Sequence, residues 1–469
     1  MRQSKFKNVI GDTARDKWVH FDICTANTEG RLLAGNSRFL AASWNTQHGG
    51  VAILDINNPC SVKPDIPLIK GFKGPVLDLE FSPFRSDLLA TASEDCSVKL
   101  YQIPEGGLTS TITKEVQNFQ GHFKKSIFVN FNPVASDCLL SASFDNTVKV
   151  WNCEKGTEFA SLELKDIPTS VYWNCNGSLI AACCKNKTLN VLDPRAKKSV
   201  LCTVCHDSAK NSKLCWKDND TVLTVGFTKS GAKEIKEWDV RKVNEDGTAA
   251  PVSTTGVDHS SAVATPYFDT ESKLLYTLGK GESTIHIFDF NLDKVVKCID
   301  FSSKEPSIAV AMLDRRCVDY QKCEVDRFVK YHDNTLYTVI FKIPRKVDIF
   351  DESLYPPIPS GEPASTFDAW AGGETKEPIR KKINEISKDF VTGQTNFQKA
   401  EAGGSGDKVK ELEAKVAELE NKVKELTEEN EKLKKDIEAK KAAAEAPAEA
   451  PAEAPAEAPA EAPAEAPPA

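Results

Sequence analysis

Short runs in which apolar and polar residues alternate recur along most of the chain, each led by a polar turn. Four of them stack closely: "SEDCSVKLYQ" (93–102), "SFDNTVKVWN" (143–152), "CKNKTLNVLD" (184–193) and "GESTIHIFDF" (281–290). "KEIKEWDV" (233–240) and "GGVAILDI" (49–56) are weaker copies. Alternation with period two predicts half-buried strands, and each run ends in an aromatic or large aliphatic residue. Leu54, Tyr101, Trp151, Leu192, Trp238 and Phe288 then stand in equivalent places, with steps of 47, 50, 41, 46 and 50 residues. A period of 40–50 residues with a Trp-Asp-like strand end is the mark of a WD-type β-propeller, one four-stranded blade per repeat. A seventh blade is expected from "LYTVIFKI" (336–343), with "KFKNVIGD" (5–12) supplying the strand that closes the ring. Closure removes exposed sheet edges.

Beyond residue 346 the pattern changes. Residues 347–378 are rich in Pro, Gly and acid yet keep Phe350, Leu354, Tyr355, Phe367 and Trp370. Disordered segments carry few aromatics, so this stretch is expected to pack on the propeller. Residues 379–407 are polar and end in "GGSGD", the composition of a mobile connector. In 408–441 an apolar repeat of seven appears, with Val409, Val416, Val423, Asn430 and Ile437 at a and Leu412, Leu419, Leu426 and Leu433 at d. Val or Ile at a with Leu at d predicts a parallel two-stranded coiled coil, and one Asn at a sets its register. Residues 442–469 repeat Ala-Glu-Ala-Pro, and proline at every fourth position predicts a disordered acidic tail. The expected fold class is all-β, a seven-bladed propeller over 1–346, with an α-helical coiled coil and a disordered tail behind it.

Charge narrows the function. Of 60 Lys+Arg and 68 Asp+Glu, residues 401–469 hold 10 and 18, so the body is neutral and the excess of −8 lies in the tail. A neutral body argues against a nucleic-acid-binding surface. No apolar run long enough for a signal peptide or a membrane span occurs, and 14 cysteines then point to a reducing, cytoplasmic setting.

Enzyme motifs fail in context, and no cofactor or metal site is expected. Cys202-x-x-Cys205-His206 has haem-attachment spacing. It falls where the fifth repeat begins, however, which makes His206 the counterpart of His122 in the third. "GFTKSGAKE" (226–234) lacks the lysine of a phosphate loop and runs into a strand rather than a helix. His122, Ser141, Asp145 and Trp151 fall together in the third repeat. The expected role of His122 there is a structural brace between the turn aspartate and a strand serine.

Several segments are diagnostic beyond the generic repeat: "QSKFKNVIGD" (3–12), "SEDCSVKLYQIPEGGL" (93–108), "WNCNGSLIAACCKNKTLNVLDPR" (173–195), "SSKEP" (302–306) and "IPRKVDIFDESLYPP" (343–357). Over about residues 3–375 the chain resembles coronins, non-enzymatic proteins of the actin cytoskeleton. The resemblance implies a propeller that binds filamentous actin and a coiled coil that makes a homo-oligomer. It also implies dealings with the actin-nucleating complex of actin-related proteins and with cofilin. A general WD scaffold without actin contact is the alternative.

The chain departs from the family in two places. Where many coronins read Asp-Ile-Arg, with the arginine tied to actin, this chain has Asp22-Ile23-Cys24. Basic residues left as candidates for the filament are Arg2, Lys5, Lys7, Arg15, Lys17, Lys124 and Lys125. Some relatives also trimerise through an arginine motif, whereas 408–441 has lysine and no arginine. Dimer is the reading that follows, with trimer and tetramer open.

Overall fold

The computed structural model describes residues 4–24, 29–345 and 350–386; the heptads and the Ala-Glu-Ala-Pro repeats lie outside them. Seven antiparallel sheets along residues 10–342 form the blades, and in the six built from consecutive strands the first strand is innermost. The second strands, such as Leu88–Ser93, Cys138–Ser143 and Ile180–Cys184, are buried along their whole length. Each is covered on both faces by neighbouring blades, which explains their small residues: Ala90, Ala92, Ala142, Ala181 and Ala182. Outer strands alternate instead, as in Thr157–Glu163, where burial falls on every second residue toward the end.

The turns between second and third strands repeat one hydrogen-bond pattern. Asp95 Oδ1 accepts from the Ser97 N–H at 3.0 Å, Asp145 Oδ1 from the Thr147 N–H at 3.0 Å, and Asn186 Oδ1 from the Thr188 N–H at 3.3 Å. The residue between, Cys96, Asn146 or Lys187, takes a left-handed conformation with φ of 70°, 65° and 68°. The short polar side chain thus closes the turn before each third strand.

The ring closes where its two ends meet. The seventh blade takes Ala309–Met312, Glu324–His332 and Thr335–Lys342 from late in the chain and Ile10–Val19 from its start. The closing strand therefore begins near the end of the expected 5–12 segment and runs seven residues beyond it, with a bulge between Thr13 and Lys17. Phe6 and Val9, within the segment expected to close the ring, pack with Leu354, Tyr355 and Ile383 instead.

Strand direction sorts the connections onto two faces. Loops from an outer strand to the next blade share one face with the turns between second and third strands. The remaining connections and the C-terminal extension occupy the other. On that second face Trp370 and Phe367, from the short helix Phe367–Ala371, enter the core of the third and fourth blades. Arg195, of the "DPR" motif, donates to the Glu374 carbonyl and to Thr375 Oγ1, each at 3.1 Å. Tyr355 Oη donates to the Glu324 carbonyl at 2.7 Å. The packing does not stop at 378, where a connector was expected to begin. Arg380–Lys381 pairs with Ile358–Pro359, Arg380 bonds Glu271 at 2.7 Å, and Ile383 is buried.

Candidate interaction face and its bracing

The loop ahead of the third blade is built on His122. Its Nδ1 lies 2.9 Å from Asp145 Oδ2 and its Nε2 2.8 Å from Ser141 Oγ, while Trp151 Nε1 donates to the same hydroxyl at 2.7 Å. A neutral ring carrying its proton on Nδ1 satisfies every partner: the indole donates to Ser141, Ser141 to Nε2, and Nδ1 to Asp145. Burial alone would raise the Asp145 carboxyl, but hydrogen bonds from His122 and Thr147 outweigh it and hold the group below the ordinary carboxylate range. The connectivity is that of a Ser-His-Asp triad. Yet Ser141 is fully buried and its oxygen already accepts from Trp151, so no substrate carbonyl reaches it.

The fifth blade repeats the device in different residues. His206 Nε2 lies 2.9 Å from Thr224 Oγ1, Trp238 Nε1 donates to that hydroxyl at 2.9 Å, and His206 Nδ1 is 3.0 Å from Glu234. Cys205 beside it is buried, and all 14 cysteines are free thiols. Burial, only partly offset by Glu234, lowers the His206 pKa. The unfolded chain therefore takes up a proton near pH ~6.5 that the folded chain refuses, so this contribution to stability is whole above that pH and is lost progressively as pH falls from there through the lower pKa of the folded chain. Urea midpoints at pH 7.5 and 5.5 check this. The wild type is expected to lose more stability between them than His206→Gln.

Above these braces the loop face carries exposed lysines: Lys73, Lys124, Lys185, Lys210 and Lys229, with Lys125 half-buried. Many of the acids beside them are turned inward. Asp95 closes its own turn, Asp145 holds His122, and Asp258 and Glu282 both pair with the buried Lys233. Glu94, 4.0 Å from Lys125, and Asp207 are exposed on the same face. Separating inward acids from outward lysines makes this face basic although residues 1–400 carry no net charge.

The structure divides the candidate cations among three places. Lys124 and Lys125 stand together on the loop face. Lys5 donates to the Ser353 carbonyl on the opposite face, and Lys7 is exposed on the same segment. Arg15 and Lys17 are exposed on the closing strand at the rim, Lys17 lying 5.6 Å from the Tyr337 ring centre. Arg2 and the residues Val409 to Ile437 of the heptads lie outside the described residues. Cys24, where the family arginine was expected, is buried, and its N–H donates to the Ser43 carbonyl at 2.8 Å. Sequence reasoning missed Phe123, the most exposed of the large apolar side chains among the described residues. An apolar residue in a loop whose counterparts are polar was the available signal.

Comparison with known proteins settles the family. The chain is 34% identical over 383 residues to Coronin-A of Dictyostelium discoideum, covering 81% of this chain and 85% of that protein. The chain belongs to the coronin family. Coronin-like protein crn1 of Schizosaccharomyces pombe is 29% identical over 387 residues, which is 81% of this chain and 64% of the relative. The crystal structure of the WD40 domain from Toxoplasma gondii coronin superposes with a TM-score of 0.77 at 32% identity, over 80% of this chain and 97% of that one. A chain from the crystal structure of the mitotic checkpoint complex, at 13% identity and a TM-score of 0.50, shares the fold alone over 75% and 97% of the two chains. Family models match residues 1–61 (a domain of unknown function, DUF1899), 66–102 and 113–152 (WD domain, G-beta repeat) and 336–378 (a type of WD40 repeat). As a coronin, the chain is not an enzyme. Its buried Ser141-His122-Asp145 set agrees with that.

Proposed function

We propose that this coronin binds filamentous actin through its loop face, working in the cytoplasm on the actin cytoskeleton. Family membership together with the outward lysines around Lys124 and Lys125 carries the reading. Such a basic face complements the acidic surface of actin filaments and speeds encounter with them, in a salt-dependent way. A coiled coil at 408–441 joins the heads of a homo-oligomer, so that a second head binds intramolecularly and filaments are bundled. Regulation of the nucleating complex and cooperation with cofilin belong to the same family role.

Co-sedimentation with filamentous actin tests the first step. The wild type is expected to pellet more tightly at low than at physiological salt. Lys124→Glu/Lys125→Glu places like charges at the contact and is expected to weaken binding about tenfold or more at low salt. Unchanged binding by the double variant removes the loop face from the reading. A wild type that stays in the supernatant favours the scaffold alternative.

A further inference from the structure

Phe123 stands 88% exposed at the tip of the loop that leads into the third blade. A phenylalanine left in water forgoes the gain of burying its ring, so its presence calls for a reason. The turn does not need it. In the second blade the Lys73 N–H donates to Asp95 Oδ2 at 2.7 Å, matching the bond from the Phe123 N–H to Asp145 Oδ2 at 3.0 Å. Lys73 thus fills the same place with a polar side chain. In the fifth blade Asp207 follows His206 as Phe123 follows His122, and it too is exposed. The backbone geometry accepts a lysine or an aspartate there.

The loop is also held still. Besides the bond from the Phe123 N–H, Ser143 Oγ donates to the Lys124 carbonyl at 2.9 Å and the Phe144 N–H to the Lys125 carbonyl at 3.1 Å. Asp145 is fixed from behind by His122. A ring with two side-chain torsions on a braced loop loses little freedom when it is covered, which favours binding. Charged residues share its loop and the turn beside it. Lys124 is its exposed neighbour in the chain, Lys125 follows with Glu94 at 4.0 Å, and the ammonium groups of Lys125 and Lys185 lie 4.3 and 5.3 Å from the centre of the Phe144 ring in the adjoining turn. An aromatic at the centre with charged groups around it is the anatomy of an interface hot spot and its polar rim.

We propose that Phe123 is the apolar anchor of the loop face, seated in an apolar pocket of an acidic protein surface. The filament is that surface, and in this the inference rests on the function proposed above. The two parts of the contact divide the labour. The lysines set the rate of encounter and its salt dependence, and Phe123 sets how long the complex lasts.

The test uses the full chain and measures filament affinity and dissociation rate at low and physiological salt for the wild type, Phe123→Ala, Phe123→Ser, Phe123→Leu and Lys124→Ala/Lys125→Ala. Removing so exposed a side chain leaves the fold intact, and superposable unfolding curves check this. Phe123→Ala and Phe123→Ser are expected to lose at least tenfold in affinity at both salts, almost all of it in faster dissociation, while Phe123→Leu keeps most of the wild-type value. Lys124→Ala/Lys125→Ala is expected to flatten the salt dependence. Wild-type affinity in both Phe123→Ala and Phe123→Ser, beside a wild type that pellets, overturns the anchor and leaves filament binding standing. A wild type that does not pellet overturns both.

Discussion

Removing residues 401–469 is expected to lower the apparent affinity for actin filaments by about 10²–10⁴-fold while leaving the propeller folded. The size of the effect follows from coupling, since a second linked head meets its site at a high local concentration instead of from bulk solution. Residues 1–400 form a compact unit by themselves, so the cut falls beyond the packed extension. Ile386 is the last described residue, so most of the expected 379–407 connector and all of the heptads lie outside the described residues. Co-sedimentation of the full chain and the 1–400 fragment measures the ratio directly, and sedimentation equilibrium shows whether the longer chain alone is oligomeric. Equal binding by the two would assign the whole affinity to a single head.

Trp370→Ala is expected to cost about 3–5 kcal/mol of stability, among the largest effects of any single change in the body. Trp370 is buried among Phe159, Phe367 and Trp173, with ring centres 5.5, 5.7 and 5.6 Å away. Its Nε1 donates to the Gly177 carbonyl at 2.7 Å. That carbonyl also accepts from Asn132 Nδ2 at 2.9 Å, so the loss falls mainly on packing rather than on an unpaired oxygen. Thr366 caps the helix by accepting from the Ala369 N–H, and Arg195 lies over the Trp370 ring at 5.8 Å. With the indole gone, the extension is expected to release first, exposing residues 350–386 to protease at a denaturant concentration the wild type withstands. Ring closure should weaken with it, because Leu354, Tyr355 and Ile383 share a core with Phe6, Val9 and the last blade. A lower urea midpoint and early cleavage in the extension are the readouts, and Trp370→Phe should recover part of the loss.

The blades were legible because their third strands repeat a large residue at a near-constant step, led by a polar turn that in the second, third and fourth blades carries Asp or Asn two places before Ser or Thr. "DPR" and "LYPP" stood out for a reason that the fold explains: Arg195, Leu354 and Tyr355 are among the residues that fasten the extension to the propeller. The closing strand was harder to read. Ile10–Val19 lies at the outer edge of its blade, is mostly polar, and is broken in register by a bulge, so its alternation is lost. The apolar residues just before it were more strand-like and serve another core. The end of the extension was hidden likewise, since a polar stretch conceals one buried isoleucine, Ile383, and the ion pairs of Arg380, Lys381 and Lys382. On the loop face, Lys124 and Lys125 were visible as charges. The His122 brace announced that Asp145 turns inward, but nothing in one dimension showed that Asp95, Asp258 and Glu282 do the same and leave the lysines to set the sign of the surface.

The most direct measurement is an electron-microscopic reconstruction of actin filaments decorated with this protein. The face that carries Phe123, Lys124 and Lys125 is expected against the filament, with the Phe367–Ala371 helix on the side turned away. Contact through the extension face, or filaments that remain bare at saturating protein, would contradict the account.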